Sequence, residues 1–184
     1  TAFSQGKDLV IMAFMNSPIM QELLSILSPG VSFQIGDVFK VPFIDIPFDR
    51  HQISTIESCI TLSKLDWDAH EISWDFENNG LVNLFNETQW DKRIVGSYRL
   101  ERVMTLYKEY WTRLFYQLHH NEEELNRQFI DIYGLQDELT PDVPLEEITI
   151  LQQGEISIVN DQIVWHDDVI VKQFLSYAIG CWMG

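Results

Sequence analysis

The sequence predicts an α+β fold that is mainly α, a helical domain with a long central helix and small β-hairpin elements. Three observations predict it. From Ser97 to Tyr133, apolar residues recur every three or four positions, the period of a helix with one buried face. Between Glu155 and Trp165, apolar and polar residues alternate with period two around Asn160-Asp161, the pattern of a hairpin. The hydrophobic fraction of 46% in 184 residues supplies a core and argues against disorder.

Taken in order, Gly6 to Leu27 reads as an amphipathic helix through Leu9, Ala13, Met20, Leu23, Leu24 and Leu27. Asn16-Ser17-Pro18 interrupts it, because proline cannot donate to the preceding turn. Ser28-Pro29-Gly30 ends it. Val31 to Ile46 reads as short and extended, with Val31, Phe33 and Ile35 alternating, and Pro42 and Pro47 limiting any strand. A second helix is expected from Asp49 to Leu65, with Ile53, Ile56, Ile60 and Leu62 on its apolar face. Asn78-Asn79-Gly80 is a turn. The long helix is expected to carry its main stripe on Val103, Leu106, Tyr110, Leu114 and Leu118, with Tyr107, Trp111 and Phe115 beside it. Leu125, Phe129 and Ile132 form a second stripe beyond a break expected at His119-His120-Asn121. Gly134 suits the helix end, and Pro141 and Pro144 prevent continuation. Asp167 or Asp168 is expected to cap a last helix running to Trp182. Cys59 and Cys181 lie in apolar, helix-like patterns and read as buried free thiols.

The net charge is −16, which repels nucleic acid overall. The bases are unevenly placed, however. Half of them, Lys92, Arg93, Arg99, Arg102, Lys108 and Arg113, fall in one segment that holds only Glu101 and Glu109 as acids. On a helix Arg99, Arg102 and Arg113 share one broad face, which suits contact with a phosphate backbone. The competing reading pairs them with the acids Asp66, Asp68, Glu71, Asp75, Glu77, Glu87 and Asp91 that precede them. Ser32, Gln34 and Lys40 are further candidates for groove or backbone contact, set against ordinary loop polarity.

No glycine-rich strand-to-helix turn, P-loop, zinc-spaced cysteine pair or Gly-x-Ser-x-Gly elbow occurs, so no catalytic, cofactor or metal residue is assigned. Asp66, Asp68 and His70 alternate, and on a helix that spacing points side chains apart. His119-His120 diverge for the same reason, and Glu122-Glu123-Glu124 resembles the acidic first turn of a helix. No apolar run is long enough for a membrane span and no secretory signal appears, so a cytoplasmic location is expected.

The stretch from Lys64 to Phe76, KLDWDAHEISWDF, resembles a signature of PglX-type adenine-specific DNA methyltransferases of phage-defence (BREX) systems. So do Asn121 to Pro141, NEEELNRQFIDIYGLQDELTP, and Phe174 to Cys181, FLSYAIGC. Ala13 to Ser17, Leu27 to Pro29 and Phe33 to Asp37 are similar to that family's preceding segment, whereas 142–173 departs from it. The resemblance implies the carboxy-terminal region of an enzyme that methylates the amino group of adenine with S-adenosylmethionine. The catalytic domain would lie upstream, and the Asn-Pro-Pro-aromatic grip on the flipped base is missing here. It implies that 1–48 ends a target-recognition region and that 49–184 is a helical carboxy-terminal domain. Both chain ends, Thr1 and the apolar run before Gly184, fit a piece of a longer protein. The implied partners are duplex DNA, through the whole enzyme, and other phage-defence proteins, with no membrane. A module that docks such proteins without touching DNA is the alternative. An acidic DNA mimic is a third reading, opposed by the hydrophobic content and the basic segment.

Overall fold

Ser17-Pro18 sets the first feature of the fold. In a computed structural model, describing residues 5–28, 34–45, 47–88 and 100–184, α1 (Gln5–Met15) ends just before it. α2 (Pro18–Leu27) starts with Pro18 in its first turn and Ser17 as N-cap, so the missing proline N–H falls where none is needed. The two helices bend by 65° at this point. Asp49 and Gln52 reciprocally cap α4 (Arg50–Asp68), each side chain accepting the other's backbone N–H at 2.8 and 2.7 Å. Asn79 accepts the Leu81 N–H at 3.0 Å and opens α5 (Gly80–Thr88). Gly134, at φ 67°, closes the long α6 (Leu100–Tyr133) in the left-handed conformation that glycine tolerates. Asn160 and Asp161, at φ 51° and 57°, form a type I′-like turn between β1 (Ile156–Val159) and β2 (Gln162–Trp165). The hairpin pairs Ile156 with Trp165 and Ile158 with Ile163. α7 (Asp167–Met183) follows. The architecture is mainly α with one small antiparallel sheet, as the sequence predicts.

The chain divides into two units, to each of which α4 and α6 contribute residues. The unit of 1–60 and 119–143 buries Val10, Phe14, Ile19, Met20, Leu24, Ile56, Leu125, Phe129 and Ile130. Phe14 is its aromatic hub, stacked on Tyr133 at 5.5 Å and meeting Phe43 and Phe129 edge-on or tilted. The Tyr133 hydroxyl donates to Pro42 O at 2.7 Å and accepts the Ile44 N–H at 3.2 Å, holding the 42–44 segment. The unit of 61–118 and 144–184 buries Leu62, Leu81, Leu84, Met104, Tyr107, Trp111, Phe115, Leu118, Ile148, Ile150, Leu151 and Ile170. Gly80 approaches the Tyr107 ring so closely that an added Cβ would lie 3.2 Å from it.

Several local expectations are corrected. Ile35–Val38 is not extended but a one-turn helix, α3, whose Asp37 carboxylate accepts the Gln34 N–H at 3.4 Å. α6 does not break at His119-His120-Asn121, because these side chains have partners along a continuous helix. Asn121 donates to Ser58 Oγ at 3.0 Å, and His119 Nε2 reaches Val143 O at 2.8 Å. Glu122-Glu123-Glu124 therefore lies in mid-helix, with His119–Glu123 and His120–Glu124 four residues apart. In the α6 part of the second unit, Tyr107, Trp111 and Phe115 are buried, while Val103, Leu106, Tyr110 and Leu114 are half-buried. The inward face is thus turned by about one residue, since aromatic rings remove more surface from water than aliphatic chains do. His166, not an aspartate, occupies the N-cap of α7, and Asp167 and Asp168 fill its first turn. Cys59 is half-buried, where burial pushes its thiol up to about 11, but Cys181 is exposed.

Candidate functional site

Turning the core face of α6 inward at Tyr107, Trp111 and Phe115 leaves Arg102 and Arg113 on the opposite side, both exposed. Eleven residues, or about three turns, separate them, so they lie on one line about 16 Å apart. The Arg113 guanidinium stands 5.5 Å from the centre of the Tyr110 ring, which holds it without neutralising it. Among the described residues neither arginine forms an ion pair. Lys108, on a different face, is bound to Asp167. Lys92, Arg93 and Arg99 lie outside the described residues, as does Ser32. Gln34 is exposed at the start of α3. Lys40 is paired with Asp37 at 2.9 Å, and this ammonium holds the Asp37 carboxyl below its usual range. The acidic stretch after α4 draws its described cation from Lys64, which reaches Asp68 and Asp75, each at 2.7 Å.

The second polar feature is a buried cluster in the unit of 61–118 and 144–184. Asp66 and His70, one turn apart at the end of α4, lie together, while Asp68 turns away to Lys64 and Ser73. His70 Nδ1 lies 2.7 Å from the Asp66 carbonyl oxygen, and Nε2 lies 2.6 Å from Glu155 Oε1. A neutral imidazole donates from only one nitrogen, so these two acceptors call for the imidazolium. Burial opposes that charge, but the Glu155 hydrogen bond and carboxylate outweigh it and raise the His70 pKa. Glu155 is fully buried, which favours its neutral form. Hydrogen bonds from His70 and from Gln173 Nε2, the latter at 2.7 Å, win and lower its pKa. Asp66 differs: burial pushes its carboxyl up to about 6, against the Leu151 N–H bond at 3.0 Å and the His70 charge.

Chemically, this arrangement ties elements together. Both imidazole nitrogens are occupied and the ring is almost wholly buried, leaving no face for a substrate proton. The cluster joins the end of α4 to the residue before β1 and, through Gln173, to α7. His166 Nε2 lies 3.1 Å from Ser157 Oγ and takes no part in it. Among the described residues no group of three His, Cys, Asp or Glu side chains could hold a metal ion. Among the described residues β2 runs through His166 into α7, a strand-to-helix turn without glycine. Sequence reasoning missed Glu155 and Gln173. The spacing of Asp66 and His70 was visible, but nothing marks a partner 85 residues away.

No family model matches the chain. Curated proteins do. It is 33% identical over 176 residues to the adenine-specific methyltransferase PglX of Lacticaseibacillus casei (strain Zhang), covering 96% of this chain. It is similar to one segment of the PglX-type methyltransferases. A second relative, the adenine-specific methyltransferase BrxX of Escherichia coli O9:H4 (strain HS), is 27% identical over 177 residues, or 95% of the chain. The chain spans 13% of the length of each of these relatives. Among the described residues no single helix is long and apolar enough to cross a membrane, although the bent pair α1 and α2 would be so together.

Proposed function

We propose that this chain is a non-catalytic, carboxy-terminal segment of an adenine-specific DNA methyltransferase of the BREX type, and that it steadies the enzyme on its DNA. The observation that carries the reading is the match to PglX and BrxX along almost the whole chain. In such an enzyme the methyl donor, S-adenosylmethionine, and the catalytic residues belong to the remaining sequence. The enzyme acts in the cytoplasm, where it marks host DNA so that a phage-defence system spares it. The contact to DNA runs through Arg102 and Arg113, exposed guanidinium groups without carboxylate partners among the described residues. Arginine suits this role, because its planar fork meets phosphate oxygens two at a time. Lys92, Arg93 and Arg99 extend the same basic segment. With a net charge of −16, the rest of the surface keeps DNA away from other faces.

The test is equilibrium binding of the whole methyltransferase to duplex DNA over a range of salt, with and without Arg102→Glu/Arg113→Glu. Losing two phosphate contacts lowers the slope of log K against log salt by about 2. An unchanged slope removes the strip from the DNA interface. A second reading, a module that docks other defence proteins without touching DNA, is favoured by Trp67 and Trp74, which are 49% and 101% exposed. An unchanged slope with normal methylation moves the assignment to that reading.

A further inference from the structure

The outer side of α7 carries an apolar stripe with nothing upon it among the described residues. Leu175, Ile179, Trp182 and Met183 succeed one another at helical spacing and are 51%, 53%, 89% and 82% exposed. The inner side is already accounted for. Ile170 is buried, Gln173 bonds to Glu155, and Tyr177 donates to Asn78 Oδ1 at 2.9 Å and meets Phe76 edge-on. From Gln173 to Gly184 there is no charged residue. A surface helix has a polar outer face, whereas one that is apolar all round is covered on every side. Monomeric proteins rarely leave several large apolar side chains exposed in one contiguous stripe.

We propose that this stripe is an intramolecular interface, covered by another part of the same methyltransferase polypeptide. The inference rests on the reading of the chain as a segment of such an enzyme. The length of the relatives points to this occupant. The aligned region is 13% of PglX or BrxX, so most of such an enzyme lies outside it, tethered to α7 at high effective concentration. A lipid surface is a poor occupant. Helices that lie on membranes carry a basic polar face, and the one base on α7, Lys172, is paired with Asp168 at 2.9 Å. A second copy of the chain would have to compete with a tethered surface.

The experiment is thiol labelling. A Cys59→Ser/Cys181→Ser background receives Ile179→Cys as reporter and, separately, Glu146→Cys as exposed control. Labelling rates are compared between the 184-residue chain and the whole enzyme. The reporter labels at least tenfold more slowly in the whole enzyme, while the control is unchanged. Equal reporter rates overturn the inference, and methylation of adenine by the same preparation then shows that the reading of the segment stands. Absence of methylation by the unsubstituted whole enzyme overturns that reading instead, whatever the labelling shows. Protection that grows with concentration in the chain alone, or needs added phosphatidylcholine vesicles, assigns the stripe to self-association or to lipid and overturns the inference. If the cysteine variant does not fold, amide exchange of α7 in the unsubstituted proteins replaces labelling: slower exchange in the whole enzyme supports the interface, and equal exchange overturns it.

Discussion

Replacing Asp66 with asparagine tests the buried cluster by a change of sign with pH. The side chain is 7% exposed, and its carboxyl is displaced from 3.8 to about 6, with burial as the main cause and the Glu155 carboxylate adding to it. A raised acid binds its proton more tightly in the folded state, so folding is penalised once the group ionises. The penalty grows between pH 3.8 and 6 and is constant above. At about 1.4 kcal/mol per pH unit it reaches about 3 kcal/mol. Asparagine keeps an oxygen for the Leu151 N–H and cannot ionise. Any fixed cost of its amide group is the same at every pH and cancels in a difference. Urea unfolding of both proteins at pH 4 and pH 7.5 is the assay, with equal m-values as a control on the denatured state. The stability of Asp66→Asn relative to the parent is expected to rise by about 2 to 3 kcal/mol between the two pH values. A difference that does not change with pH, or that falls as pH rises, refutes the argument that Asp66 ionises at a cost.

The partner residue behaves in the opposite sense. Glu155→Gln leaves His70 buried without its anion, which should cost about 3 to 5 kcal/mol. Glu155 is lowered from 4.5, so its contribution is present above that value and lost as pH falls through its folded pKa; His70 is raised from 6.5, so its contribution is full below that value. The loss is therefore largest between about pH 4.5 and 6.5, and NMR titration should show the His70 pKa falling in the variant. Phe115→Ala, at a fully buried position of α6, should lower stability by about 3 to 5 kcal/mol in denaturant melts. Gly134→Ala, at φ 67°, should cost about 1 kcal/mol, and an unchanged midpoint would show that the helix end relaxes.

Residues that act on their own neighbours were legible in the sequence. Ser17-Pro18, Asp49 with Gln52, Gly134, and Asn160-Asp161 each solve a backbone problem within four residues. The structure uses Ser17-Pro18, Gly134 and Asn160-Asp161 as expected, whereas the reciprocal cap of Asp49 and Gln52 is found only in the structure. What escaped was decided at longer range. The polar triplet His119-His120-Asn121 looks like a break until Ser58 and Val143 supply its partners. Two stripes on α6 lie only one residue apart, and periodicity cannot choose between them. The packing of Tyr107, Trp111 and Phe115 against the rest of their unit does so. α5 was missed because Leu81, Val82, Leu84 and Phe85 make a short apolar run, too brief to declare its period. Of the candidate DNA contacts, the exposure of Arg102 and Arg113 follows from their spacing opposite the core. The pairing of Lys40 with Asp37 follows from an unforeseen helical turn.

The same turn of α6 connects stability with the proposed function. Its inward residues are large rings, so moving one outward would leave a cavity, and the helix cannot easily rotate about its axis. Arg102 and Arg113 are therefore fixed in direction by Tyr107, Trp111 and Phe115, although they touch none of the buried polar groups. A phosphate contact made from a rigid helix loses less entropy than one made from a loop. Charge follows the same logic. Glu109 lies on the arginine face of α6, between the two guanidinium groups, and opposes a phosphate there. Glu109→Gln should thus tighten DNA binding, whereas a role for that face in holding the chain together would make the same substitution destabilising. The direction of that one change separates a surface that awaits an anion from one already balanced within the protein.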